Sequence, residues 1–177
     1  MAGVHTTNCR IVVDFTPLEK VAYARYVFIG QSGLDAVFFR QNKATNQMAY
    51  MSGWTQASGT SYGFGTFTYN MAKDVRITLD FNTMSKKITI GSTTVNISPV
   101  ATDANISLIF GGMTDYTVDY ACLAMRIHGA KVYVDDVLKG DFVPCLNTEG
   151  APGLYNIVDG TFHGKRTGTL TAGPVVE

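Results

Sequence analysis

The stretch Gly53-Trp54-Thr-Gln56-Ala-Ser-Gly59-Thr-Ser-Tyr62-Gly-Phe64-Gly65 sets aromatic rings and an amide side chain among glycines. Sugars present flat C–H faces that stack on aromatic rings, and hydroxyls that pair with planar amide and guanidinium groups. Trp54, Tyr62, Gln56 and Arg40 are therefore the residue types a glycan site would use, and the glycines would let a loop shape itself around the ligand. The competing reading is structural, because the sole tryptophan of a β-sandwich is commonly buried in its core. A second rim is offered by Tyr116 and Tyr120 in Asp115-Tyr-Thr-Val-Asp-Tyr120. Tyrosines also lie half-buried at sandwich ends with the hydroxyl in water, so this pair carries the same alternative.

Catalytic chemistry has less to build on. Asp135 and Asp136 are adjacent and so point to opposite sides, while Asp115 and Asp119 flank a predicted loop. His5, His128 and His163 are scattered, so no hydrolytic triad and no enzyme activity are expected. Asp115, Asp119 and Asn105 are hard oxygen donors suited to calcium but lack a dense ligand spacing, and no cofactor is expected. Cys9, Cys122 and Cys145 are odd in number and widely spaced, without the paired spacing of a zinc site, and read as buried free thiols.

Charge narrows the partners. The chain of 177 residues carries 14 basic and 14 acidic side chains, with no run of one sign, so neither a nucleic-acid backbone nor an anionic membrane is an expected partner. No apolar stretch has the length to insert across a bilayer, and the first residues lack a signal-peptide pattern. The length fits one domain over residues 1–177, large enough to bury a core without metals or disulfides.

The elements that would position these residues are strands. Eighteen glycines, 10 Phe and 9 Tyr favour strands and tight turns over helices. Val75–Phe81 alternates apolar and polar residues, which predicts a strand with one buried face. Lys87–Ile90 and Thr94–Ile97 follow, joined by Gly91-Ser92 as a two-residue hairpin turn, and the three make a meander. A second hairpin is predicted at Lys131–Val134 and Val137–Phe142 around Asp135-Asp136, since aspartate tolerates left-handed backbone. A third is predicted around Asp159-Gly160, between Tyr155–Val158 and Thr161–His163. Further strands are predicted at Arg10–Phe15, Arg25–Ile29, Ala36–Arg40, Gln47–Ser52, Gly63–Tyr69, Asn105–Phe110 and Cys122–His128, with one short helical turn around Pro17–Ala22. Short, evenly spaced strands without crossover helices predict an all-β, antiparallel two-sheet sandwich.

The C-terminal third reads Lys131-Val-Tyr-Val-Asp-Asp-Val-Leu-Lys-Gly-Asp-Phe-Val-Pro-Cys145, then Gly153-Leu-Tyr-Asn-Ile-Val-Asp-Gly-Thr-Phe162 and Gly168-Thr-Leu-Thr-Ala-Gly-Pro174. It resembles the concanavalin A-like, laminin G-type jelly-roll domains of bacteriophage fibre, tail and capsid-decoration proteins and of gut bacterial surface proteins. The meander from Val75 to Ile97 is similar to that group's paired strands. Two departures stand out: Asp135-Asp136 replaces the group's usual Asn-Gly turn, and the strand that usually precedes the position of Gly3-Val4 is missing. The second departure would suit the C-terminal domain of a longer chain, or an edge completed by another chain.

The resemblance implies a jelly-roll sandwich at the virion surface or in an extracellular setting. It implies attachment by weak, multivalent binding of a host or matrix glycan, contacts with other virion proteins, and a homo-oligomer. A carbohydrate-binding module of a secreted bacterial enzyme or surface protein, or a purely structural cap, are the alternatives. Glycan hydrolases on this fold place acidic residues at alternate positions of one strand, as in Glu-x-Asp-x-Glu, and no such run occurs here.

Overall fold

The computed structural model describes residues 5, 7–18, 26–30, 36–42, 47–55, 60–61, 64–69, 71–96, 108–109, 124–165 and 169–173. All the elements among them are strands, and every pairing is antiparallel.

The chain opens with β1, Cys9–Pro17. Its odd residues Cys9, Ile11, Val13 and Phe15 are completely buried while Arg10, Val12 and Asp14 remain partly exposed, the two-residue period of a strand with one covered face. β2 (Tyr26–Gly30), β3 (Ala36–Asn42), β4 (Gln47–Thr55), β5 (Thr60–Ser61) and β6 (Phe64–Thr68) follow, then β7 (Ile77–Asn82), β8 (Lys87–Ile90) and β9 (Thr93–Asn96). The remainder are β10 (Leu108–Ile109), β11 (Met125–Val134), β12 (Val137–Leu146), β13 (Pro152–Asn156) and β14 (Thr161–Gly164).

They form two sheets. One has eight strands in the order β14-β13-β12-β11-β1-β7-β8-β9, and the other has six, with β10-β2-β3-β4-β5 in sequence and β6 also paired to β4. The N-terminal strand thus lies at the centre of the large sheet, joining the meander β7-β8-β9 to the meander β11-β12-β13-β14. Its inward residues meet those of its neighbours in register, Val13 opposite Leu79 and Ala130, Ile11 opposite Phe81 and Val132. With Ile77, Ile88, Ile90, Met71 and Phe142 they make one apolar cluster. Each fully buried large side chain such as Phe15 or Phe81 contributes about 1.5–3 kcal/mol over leaving it in water.

Two of the predicted hairpins have the expected turns. Gly91 has φ +55°, the conformation a glycine supplies without strain, and the turn tucks against Tyr69. Asp135 and Asp136 have φ +48° and +61°, so both aspartates adopt left-handed backbone between the paired Val134 and Val137.

Other expectations are corrected. Val75 is outside the strand and half exposed, because left-handed Asp74 (φ +62°) donates its N–H to Pro17 and turns the chain before β7 begins at Ile77. The segments predicted at Cys122–His128 and Lys131–Val134 are one strand, Met125–Val134, since Gly129-Ala130 continues the ladder rather than turning it. The third hairpin has a four-residue loop, 157–160, instead of a two-residue turn: β13 stops at Asn156, and the Ile157 N–H leaves the hairpin to bond the Asp141 carbonyl. Pro17 closes β1 rather than opening a helical turn, and residues 19–22 of that predicted turn lie outside the described residues.

Candidate functional site

The predicted glycan residues divide by position. Arg40 is in β3, opposite Tyr26 of β2 and Ala49 of β4. Trp54 is in β4, opposite Ala36 of β3 and Ser61 of β5. The fold thus puts both on adjacent strands of the six-stranded sheet, but Ala36 and Arg40 are four positions apart on β3, roughly 14 Å along the strand. Gln56, Tyr62 and Tyr116 lie outside the described residues, as do Cys122 and the calcium-type donors Asn105, Asp115 and Asp119.

Gly59-Thr-Ser61-Tyr-Gly63 has the spelling Gly-x-Ser-x-Gly. A serine nucleophile of that type needs a sharp strand-to-helix turn to raise its hydroxyl. Ser61 instead belongs to β5, paired with Trp54, so the spelling does not carry the geometry.

The fully described surface is the outward face of the eight-stranded sheet. Ion pairs tie its neighbouring strands together. Arg10 of β1 holds Asp80 of β7 through Nε and Nη2, at 3.1–3.2 Å and 2.8 Å, while its guanidinium lies 5.3 Å from the centroid of the Tyr133 ring. Arg76 grips Asp14 through two parallel hydrogen bonds of 2.9 and 2.6 Å. Lys131 of β11 meets Asp141 of β12 at 3.2 Å. The Arg76 hydrogen bonds hold the Asp14 carboxyl below the usual carboxylate range, and Asp80 likewise raises Arg10.

Between these pairs the ladder is irregular. Asp14 pairs with Gly129 but Phe15 pairs with Ile127, so His128 is an extra residue in β11, a β-bulge that aims its ring outward. His128 Nε2 lies 2.9 Å from Thr16 Oγ1. Burial, and then the positive charge of Arg76, push the His128 pKa down. In sequence His128 stands alone; the fold brings it to a hydroxyl 112 residues away.

At the β14 edge, Thr161 Oγ1 lies 2.6 Å from Asp159 Oδ1 and 2.8 Å from His163 Nε2. The three residue types are those of a hydrolytic triad, but the order is wrong. A carboxylate accepts only, so the hydroxyl proton points to Asp159, and His163 must donate to the same oxygen and cannot take its proton. The arrangement closes the turn, with Asp159 also accepting the Thr161 N–H at 3.0 Å.

Cys9 and Cys145 are free thiols, the first buried and the second half-buried. Cys9 pairs with Val134 at one end of β11, whereas Cys145 lies three residues beyond Phe142, the partner of Ala130 in the middle of β11, and so level with its other half. The register separates them by roughly 20 Å, far beyond disulfide reach. Among the described residues no group of three or more His, Cys, Asp and Glu side chains is arranged to hold a metal ion.

A scan against protein-family models finds no match to this chain, and a search of curated proteins finds no similar sequence.

Proposed function

We propose that the chain is a concanavalin A-like jelly-roll sandwich, its eight- and six-stranded sheets closed over one core, acting as a non-enzymatic attachment domain on a virion surface. In this reading a fibre, tail or capsid-decoration protein displays several copies, and each binds a host glycan weakly. The observation that carries the proposal is the division of the large sheet. One face is apolar and buried along β1, β7 and β8 and the middle of β11 and β12, which calls for a second layer above it, and the other is exposed and crowded with carboxylate, guanidinium, hydroxyl and aromatic groups. Shallow surfaces of this kind hold a single sugar loosely, so attachment depends on several copies acting together, and a homo-oligomer follows.

The test is a glycan array on the purified chain, with its mass measured by light scattering in the same buffer. Specific binding by an oligomer supports the attachment reading, and loss of that binding in Trp54→Ala would put Trp54 at the sugar, with Gln56, Tyr62, Arg40 and Tyr116 the next residues to substitute. Binding by a monomer favours a carbohydrate-binding module. A bare array favours a structural cap.

A further inference from the structure

Beside the bulge at His128, Gly129 puts no side chain on the outward face of the large sheet, and the row opposite Asp14 has a gap there, a notch between its neighbours. The φ of Gly129 is not one that demands glycine. A Cβ there would meet the Phe142 carbonyl oxygen at 3.3 Å, a close but not prohibitive approach. A glycine inside a central strand, beside a bulge, is where a sheet admits the close approach of another molecule.

The walls of the notch are of three kinds. On one side are Asp14 with its partner Arg76, and His128 with Thr16. Along the strand is the Lys131–Asp141 pair. On the far side Tyr155 of β13, 39% exposed, stands opposite Val143 of β12 and Phe162 of β14 in one outward row. The run from Tyr155 to Asp14 crosses three strand spacings, roughly 14 Å, room for a di- or trisaccharide laid across the strands. Its aromatic end suits a C–H face and its polar end suits hydroxyls.

Charge selects the class of sugar. Arg76 is cancelled by Asp14 and Lys131 by Asp141. Arg126, exposed on β11 opposite Thr16, makes no ion pair among the described residues, so among them it adds a positive charge that no carboxylate holds.

We infer that the trough over Gly129, between Tyr155 and the Asp14–Arg76 pair, binds a carboxylate-bearing saccharide, with Arg126 receiving the carboxylate. The assignment rests on the glycan reading above but moves the sugar contact from the six-stranded sheet to the eight-stranded one.

The experiment is a ¹H–¹⁵N NMR titration of the full chain with 3′-sialyllactose and with a hyaluronan tetrasaccharide, using lactose as the neutral control. Amide shifts centred on residues 126–131, 143 and 153–155 are expected with one or both acidic probes and not with lactose. Arg126→Ala, a surface change, should weaken binding about tenfold, the value of a charge-assisted hydrogen bond to a carboxylate. Gly129→Val should abolish it by filling the notch; if that variant misfolds, Tyr155→Ala and Arg126→Ala still decide the matter. Shifts centred on Arg40 and Trp54 would overturn this placement while upholding glycan binding, and equal response to lactose would overturn the acidic class. Silence with all three probes would overturn the trough, and a positive glycan array alongside that silence would leave the attachment reading standing.

Discussion

Thr83 completes the end of β1 by bonding both backbone groups of Cys9: its Oγ1 accepts the Cys9 N–H at 3.0 Å and donates to the Cys9 carbonyl at 2.8 Å. Both residues are buried, and the Thr83 N–H also donates to the Cys9 carbonyl at 3.0 Å, so just past the end of β7 it is the Cys9 N–H whose partner the hydroxyl supplies. Thr83→Val keeps the shape and leaves a buried N–H unsatisfied, which should cost about 1–3 kcal/mol. Urea unfolding should show a lower midpoint at unchanged slope, with Thr83→Ser close to the parent. Equal stability of the valine and threonine forms would show that the contact contributes nothing net.

His128 should make the fold less stable in mild acid. Its pKa is lowered in the folded chain, by burial first and then by Arg76, with Asp14 opposing and Arg126 adding to the shift. The unfolded chain therefore binds its proton more readily. The stabilisation is fully present above the ordinary histidine value of about 6.5 and is lost as pH falls through the lowered folded value. Comparing urea midpoints at pH 7.5 and 5, His128→Gln should show a smaller drop than the parent. An identical drop in the two proteins would assign the acid sensitivity to other groups.

Asp14 works in a lower window with the same sign. Held by Arg76, its carboxyl is depressed, so its contribution exists above about 3.8 and vanishes as pH falls through the depressed value. The pair is partly exposed and solvent screens it, which limits Asp14→Asn to a loss of about 0.2–1 kcal/mol at pH 7. Thermal melts of parent and variant should converge towards pH 2, and a gap that persists there would point to packing rather than charge.

The large sheet was legible in sequence because its strands alternate. Lys87–Ile90 is a strand with the predicted bounds, and the Gly91 and Asp135-Asp136 turns have the predicted backbone. Its irregularities were not legible. Gly129-Ala130 reads as a break between strands because a glycine in a bulged ladder and a glycine in a turn look alike along the chain. Ile157-Val158 reads as strand because both are β-branched, yet they are exposed in a loop whose path is set by Asn156, the Oδ1 of which accepts the N–H groups of Asp141 and Val158. The surface of ion pairs was equally hidden. Asp14 and Arg76 are 62 residues apart, and only the pairing of β1 with β7 makes them neighbours.

The two described thiols should differ sharply in reactivity. Burial raises the Cys9 pKa to about 12, so almost none of it is thiolate at pH 8, and no solvent path reaches it. Cys145 is half-buried on β12 opposite Gly153. Brief iodoacetamide treatment of the native protein followed by peptide mass spectrometry should find Cys145 modified and Cys9 protected until denaturant is added. Labelling of Cys9 at a comparable rate in the native protein would mean that the β1 end opens readily, contrary to the role given to Thr83.

The hairpin at Asp135-Asp136 offers a stabilising change. Both residues have positive φ, which costs a residue with a side chain backbone strain that glycine does not bear. Asn-Gly is the pair best suited to a two-residue turn of this hand, so replacing Asp135-Asp136 with Asn-Gly should raise stability. Glycine's larger freedom in the unfolded chain offsets part of the relief, which limits the gain to about 0.5–1 kcal/mol. Guanidinium unfolding at pH 7 should show the rise as a higher midpoint at unchanged slope. A lower midpoint in the Asn-Gly protein would mean that the aspartates are held by something other than the turn, such as the charge of Arg10, on whose pKa Asp136 acts.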